Sequence, residues 1–132
     1  MIVDTSVWID YLRSASSSAG DRLEDLIRQG ERIVVPEVVL LELLSGPTDE
    51  VLAMRRRRML ETFQIVANEP MVDTLRAAGL QRECRRAGET VRSLTDCLIA
   101  AVALRLGEVV LHRDHDFEVL ASHCGLRTES LI

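Results

Sequence analysis

A chain of 132 residues, 47% hydrophobic and 28% charged, suffices for one domain with its own core, and its composition is not that of a disordered chain. With 3% aromatic residues it offers no base-stacking platform for single strands. All 16 basic residues are arginine, which excludes a P-loop, a Schiff base and a phosphate-clamping lysine. The net charge of −5 argues against a broad electrostatic grip on nucleic acid but leaves room for a local basic patch.

In chain order, Ile2-Val3 is a short apolar strand running into the capping residues Asp4, Thr5 and Ser6. Val7 to Arg13 reads as a short helix and Ser14 to Gly20 as a small, polar loop. Leu23, Leu26 and Ile27 have helical spacing, closed by Gly30. Ile33 to Val35 is a strand, and Pro36 stands where a first helical turn prefers it. Glu37 to Ser45 is a helix apolar nearly all round, stopped by Gly46-Pro47. A polar helix from Asp49 to about Thr62 carries Arg55 to Arg58, and Ile65 to Ala67 is a weak strand. Pro70 opens a helix reaching about Arg86, Leu94 to Leu106 is a second nearly all-apolar helix, and Val109 to Leu111 is a strand. His112 to Asp116 reads as a turn, Phe117 to about His123 as a last helix, and Leu126 onward as a candidate final strand.

Strands alternating with helices make a parallel sheet, and strands without polar alternation suit burial on both faces. The expectation is one three-layer α/β/α domain over residues 1–132 with a short central parallel sheet. Cys84, Cys97 and Cys124 are odd in number and widely spaced, which suits reduced, mostly buried thiols in the cytoplasm. Met1 to Asp4 reaches a carboxylate too soon for a signal peptide, and no apolar run approaches the ~20 residues of a membrane span.

Chemistry in such sheets gathers at the carboxyl ends of the strands. Asp4 follows the first strand, and Asp114 and Asp116 follow the strand at 109–111. Asp96 opens a helix whose roughly ten residues carry the chain some 15 Å from that edge, and the next strand returns it. Asp96 and Asp114 therefore share an edge. Glu42 leans back toward the start of its helix and the same edge. No lysine is present to neutralise this set, and anions packed together repel and partly protonate. A hard divalent cation resolves the conflict, and an all-oxygen site suits Mg²⁺ or Mn²⁺ rather than Zn²⁺.

Each carboxylate also has a plain structural use. Asp4 could cap its helix, Asp96 stands three residues after Ser93 at capping-box spacing, and Asp114 and Asp116 could be turn residues. Glu42 is the hardest to explain structurally, because apolar residues surround it and a buried unpartnered carboxylate is costly. Glu37, nearer the edge, is explained by the helix dipole. Their convergence, rather than any single position, is what points to a metal centre.

The segments Ile2-Val-Asp4-Thr-Ser6-Val-Trp-Ile-Asp10-Tyr-Leu, Val39-Leu-Leu-Glu42-Leu-Leu, Leu94-Thr-Asp96-Cys-Leu-Ile-Ala-Ala and His112-Arg-Asp114-His-Asp116-Phe together resemble the PIN domain, in particular the VapC-like ribonuclease toxins of bacterial toxin–antitoxin pairs. The resemblance spans nearly the whole chain, in the family's order. It implies a divalent-metal endoribonuclease acting on structured RNA, with tRNA and rRNA foremost. It also implies a homodimer held in check by a VapB-like antitoxin, whose arginine could block the acidic cluster, and products with 5′-phosphate and 3′-hydroxyl ends. Asp4 and Asp96 match the family's central metal ligands, Glu42 the second acidic position, and Asp114 with Asp116 the fourth. His112 stands where the family often has Thr or Ser, so a ligand-orienting hydroxyl is missing. A hydrogen bond donated by His112 is the candidate replacement, and which of Asp114 and Asp116 meets the metal stays open.

Thr5 and Ser6 are candidates to hydrogen-bond a carboxylate or phosphate, with helix capping as the alternative. Arg82, Arg85, Arg86 and Arg92 form a candidate phosphate track into the active edge, the alternative being a solvated helix face. Arg55 to Arg58 wrap round their helix and cannot share one ligand. Trp8, Leu12, Leu52 and Leu60 are candidates for an exposed patch that an amphipathic antitoxin helix would cover, with core packing as the competing use. Three other functions compete. They are metal-free cleavage by His112 and His115, a catalytically inactive PIN-like protein- or RNA-binding module, and a phosphoryl-transfer receiver or phosphatase, the last disfavoured by the missing lysine.

Overall fold

The computed structural model describes residues 1–13 and 17–132. Among them, five parallel strands are flanked by seven helices: β1 (Ile2–Val3), α1 (Thr5–Leu12), α2 (Ser18–Arg28), β2 (Val34–Pro36), α3 (Glu37–Ser45), α4 (Glu50–Leu60), β3 (Gln64–Val66), α5 (Val72–Arg86), α6 (Leu94–Leu106), β4 (Val110–His112), α7 (His115–Cys124) and β5 (Thr128–Ser130). The expected α/β architecture is what forms. The sheet order is β3-β2-β1-β4-β5. Its register pairs Ile2 with Val34 on one side and with Val110 on the other.

The chain builds outward from β1 to β3, then restarts on the opposite side of β1 with β4. The crevice at the carboxyl ends of β1 and β4 is thus the topological switch point, where open α/β sheets bind ligands. The three central strands are buried at every residue, and the edge strands β3 and β5 are partly exposed. This is why the central strands read as unbroken apolar runs and the edges as weak ones.

Several boundaries differ from the sequence reading for local reasons. The expected loop at 14–20 falls partly on residues 14–16, outside the described residues. From Ser18 the chain is already helical, because the Ser17 hydroxyl accepts from the Gly20 amide at 3.0 Å and caps α2. Pro36 closes β2 as the residue before α3 rather than occupying its first turn. His112 closes β4 instead of opening a turn. Gly107, at φ 67°, ends α6 in the left-handed conformation that only glycine adopts cheaply and turns the chain back toward β4.

Two residues proposed for an exposed patch belong to the core. Trp8 and Leu60 are fully buried. Trp8 packs edge-on against Tyr11 and Phe63, with ring centroids 5.9 and 5.3 Å away. Leu52 is exposed as expected. Conversely, the two all-apolar helices are not wholly interior: Leu41 on α3 is 66% exposed and Leu94 on α6 is 67% exposed. Cys84 and Cys97 are buried and Cys124 is half-buried, all three as free thiols, with the Cys84 and Cys124 sulfurs 3.5 Å apart between α5 and α7. No helix among the described residues is long and apolar enough to cross a membrane.

A bidentate ion pair ties α5 to α6. Arg105 Nε and Nη2 each donate to Asp73 at 2.9 Å, and the second Asp73 oxygen also accepts from the Glu69 amide at 2.8 Å. That last bond spans the turn in which Met71 takes a φ of 64°, so the pair also holds an unfavourable backbone conformation ahead of α5.

Candidate metal centre

The five carboxylates picked from the sequence come together at the switch point. Asp4 sits one residue past β1, Asp114 two residues past the end of β4, Asp116 in the first turn of α7 and Asp96 in the first turn of α6. Glu42 reaches in from α3. Oxygen atoms of Asp96, Asp114 and Asp116 all lie within 4.8 Å of one another. Asp4, Asp96 and Asp116 are buried, whereas Asp114 and Glu42 are half-buried.

Local capping accounts for some of these oxygens and leaves others free. Asp4 Oδ2 accepts from the Ser6 amide at 3.2 Å and from the Ser6 hydroxyl, so Asp4 caps α1 and still presents a second oxygen. Asp114 Oδ1 accepts from the Asp116 amide at 2.9 Å, capping α7. Asp116 Oδ2 accepts from the Arg92 and Ser93 amides, both at 3.0 Å. Glu42 is held by two hydroxyls, Thr5 Oγ1 at 2.9 Å and Thr95 Oγ1 at 3.4 Å. Thr5 and Ser6 thus orient carboxylates.

Asp96 is different. In a capping box its side chain would accept from the Ser93 amide. The Ser93 hydroxyl does accept from the Asp96 amide, at 3.4 Å, but the return half is missing because Asp116 has taken the Ser93 amide. Asp96 Oδ2 is left buried with no hydrogen-bond partner among the described residues. A buried carboxylate oxygen without a partner is costly, and no cationic side chain pairs with the cluster among the described residues.

The electrostatics follow. Burial first, then the charges of Asp4, Asp114, Asp116 and Glu42, push the Asp96 carboxyl up to about 8 from its ordinary 3.8. Burial pushes Asp4 up to about 6, with Asp114 adding repulsion and the Ser6 and Thr5 hydrogen bonds pulling the other way. An orphaned buried oxygen inside an uncompensated set of hard oxygen donors fits a divalent cation such as Mg²⁺ or Mn²⁺.

The structure separates the two histidines. His112 is fully buried, and its ring centroid lies 5.2 Å from that of Phe117. Burial lowers its pKa, and its Nδ1 accepts from the Asp114 amide at 3.2 Å. Its part is therefore the reverse of the donor role considered from the sequence: it is an acceptor that fixes the backbone of Asp114. His115 is exposed. A buried neutral imidazole beside a solvated one does not make an acid–base pair.

Arg82, Arg85, Arg86 and Arg92 are all exposed. The Arg92 backbone amide touches the cluster. Sequence reasoning missed Thr95, although a hydroxyl next to Asp96 was a visible signal. It also missed the ion pair between Arg113 and Asp10, joined across 103 positions.

Residues 1–122 match the family model of the PIN domain. The chain belongs to the PIN-domain family. Within it the chain is similar to Ribonuclease VapC11 of Mycobacterium tuberculosis, with 38% identity over 131 residues and 98% of each chain covered. Among solved structures it resembles VapBC2 from Rickettsia felis bound to a promoter DNA fragment, with a TM-score of 0.77 at 18% identity over 99% of this chain and 98% of that one. It also resembles VapBC-1 from nontypeable Haemophilus influenzae, with a TM-score of 0.76 at 17% identity over 98% and 96%. The structural likeness bears on the fold. The 38% relative ties the chain to the VapC ribonucleases.

Proposed function

We propose that this chain is the toxin of a toxin–antitoxin pair, an endoribonuclease that hydrolyses phosphodiester bonds in structured RNA, tRNA or rRNA foremost, using Mg²⁺ or Mn²⁺. Residues 1–132 act as one nuclease domain in the cytoplasm. The observation that carries the metal reading is that Asp96, whose Oδ2 is buried and unpartnered, places a carboxylate oxygen within 4.8 Å of oxygens from Asp114 and Asp116. Asp96, Asp114 and Asp116 would hold the ion, Asp4 would offer its second oxygen, and Glu42, oriented by the Thr5 and Thr95 hydroxyls, would hold the ion directly or through water, or accept a proton. The ion, when bound, polarises a phosphate oxygen and lowers the pKa of an attacking water. The Arg92 and Ser93 amides hold the Asp116 carboxylate in place, and His112 fixes the backbone of Asp114.

A dead binding module is the poorer reading. Such a module gains nothing from keeping five carboxylates together at a cost in stability. Two partners follow from apolar surface. The exposed Leu41 and Leu94 line adjoining grooves that share Leu98, and this face suits a second copy. Val51, Leu52 and Met54 are exposed on α4, beside a groove that includes Leu44 and Ala53, and this face suits an amphipathic helix of a VapB-like antitoxin.

Incubation of purified protein with total RNA in Mg²⁺, Mn²⁺ or EDTA tests the reading. The expected result is cleavage in either ion, none in EDTA, and 5′-phosphate ends. Equal cleavage in EDTA, or 2′,3′-cyclic phosphate ends, would overturn the metal mechanism. Growth arrest on expression, relieved by a co-expressed antitoxin, tests the toxin assignment.

A further inference from the structure

We propose that the cleft beside the acidic cluster, lined by Ser6, Ile9, Asp10 and Arg113, binds a phosphate of the RNA chain flanking the one that is cut, with Arg113 as the contact and Asp10 as its positioning residue. The inference rests on the endoribonuclease reading.

Position is the first argument. Arg113 lies between His112 and Asp114, so its backbone is fixed one residue from the cluster. The opposite wall is Ser6, whose hydroxyl donates to Asp4. The cleft therefore shares a wall with the candidate metal centre. Its volume of about 280 Å³ falls just below the roughly 300–1,000 Å³ of small-molecule pockets, which suits a sugar-phosphate unit better than a stacked base.

Charge is the second. A polyanion approaching five carboxylates on a chain of net charge −5 needs local positive potential to dock. In the segments that carry the five carboxylates, residues 4–10, 37–45, 93–96 and 112–116, Arg113 is the only lysine or arginine, and Arg92, which meets the cluster through its backbone amide, stands just ahead of one of them. Arg82, Arg85, Arg86 and Arg92 lie outside them and have no carboxylate holding them in place among the described residues.

Donor inventory is the third. A guanidinium carries five N–H donors in a planar fork. Arg113 spends Nη1 on Asp10 Oδ2, and its side chain is 51% exposed while that of Asp10 is 16% exposed. Among the described residues the remaining edge has no partner and can take a phosphate in the bidentate manner arginine favours. An ion pair this exposed adds little to stability. Its effect is placement, since it removes rotamer freedom from Arg113 before the substrate arrives.

The test compares wild type, Arg113→Ala, Arg113→Lys, Asp10→Ala and the double Asp10→Ala/Arg113→Ala variant. For each, kcat and KM are measured in Mg²⁺ across a salt series on one structured RNA, together with the rise in Tm on adding Mg²⁺. Arg113→Ala is expected to raise KM about tenfold with kcat within about twofold, to lower the slope of log KM against log salt by about 0.7–0.9, and to leave the Mg²⁺-induced rise intact. Arg113→Lys should keep the slope while KM rises a few-fold, because a point charge replaces the fork. Asp10→Ala should raise KM a few-fold alone and not at all when Arg113 is already alanine. An unchanged KM and slope in Arg113→Ala overturns the subsite, as does a joint loss of kcat and of the Mg²⁺ response. If Asp10→Ala lowers KM, Asp10 repels RNA and the positioning role fails. A wild type that cuts no RNA in either ion sinks the endoribonuclease reading and the subsite together; a wild type that cuts beside an equally active Arg113→Ala sinks the subsite alone.

Discussion

Asp73 and Asp96 are both buried aspartates in the first turns of neighbouring helices, 1% and 6% exposed, yet their surroundings are opposite. Burial alone would raise the Asp73 carboxyl. Two charge-assisted bonds from Arg105 and the Glu69 amide outweigh it and hold the group below its ordinary value. Asp96 receives no cation, four further carboxylates press on it, and its carboxyl rises to about 8. One aspartate is a structural tie and the other is the buried, unpaired group on which the proposed metal centre rests. Burial does not distinguish them; the partner does.

The sharpest way to break this contrast is Asp96→Asn. It should lower RNA cleavage by at least about 100-fold, since even outer-shell changes at metal sites cost 10–100-fold. It should not lower the Tm of the metal-free protein, because the amide replaces a carboxyl whose charged form is repelled by its neighbours. A metal-free Tm several degrees below wild type would make Asp96 structural after all. Arg105→Ala should do the reverse. It leaves Asp73 buried without its cation and costs about 3 kcal/mol in urea unfolding, with cleavage per folded molecule unchanged. Full stability in that variant would remove the comparison's structural half.

A smaller effect is expected in the pH dependence. Asp4 and Asp96 hold protons more tightly folded than unfolded, with values near 6 and 8 against 3.8. Between about pH 4 and 8 the native state binds more protons than the unfolded chain, so their contribution makes stability fall as pH rises. Asp73 has the opposite sign: its contribution is present above the ordinary carboxylate range and is lost as pH falls through its lowered value. In metal-free buffer Tm should therefore decline from about pH 5 to 8. Added Mg²⁺, which binds only the ionised carboxylates, should stabilise more at the upper end. A metal-free Tm that climbs over this range, or a Mg²⁺ effect equal at both ends, would contradict the repulsion described here.

Much of the fold was legible because its signals are short-range. The strands near Val3, Val35 and Leu111 are apolar runs ended by capping residues, proline or a polar turn, and Gly46-Pro47 and Gly107 mark where α3 and α6 end. The acidic set was legible for a topological reason: four segments that begin or end at one sheet edge carry their carboxylates to that edge. The partnering was not legible. A capping-box spacing from Ser93 to Asp96 looks complete in the chain, and only the approach of α7, which lets Asp116 take the Ser93 amide, leaves Asp96 free. Trp8 and Leu60 likewise sit in plausible surface patterns until Phe63 and Tyr11 close over Trp8. Arg113 gives no sign of its pairing with Asp10, because the bond crosses the whole chain.

Periodicity, caps and glycine stops act over a handful of residues, and from them the amino-acid order alone set the elements, their succession and the edge on which the carboxylates lie. Which oxygens stay unpaired, which apolar side chains of α3 and α6 remain outside, and which arginine stands at the mouth of the site were decided by packing between segments far apart in the chain. Hydrogen-bond donors are finite and each amide satisfies one acceptor, so the choice among competing acceptors exists only once the helices have met.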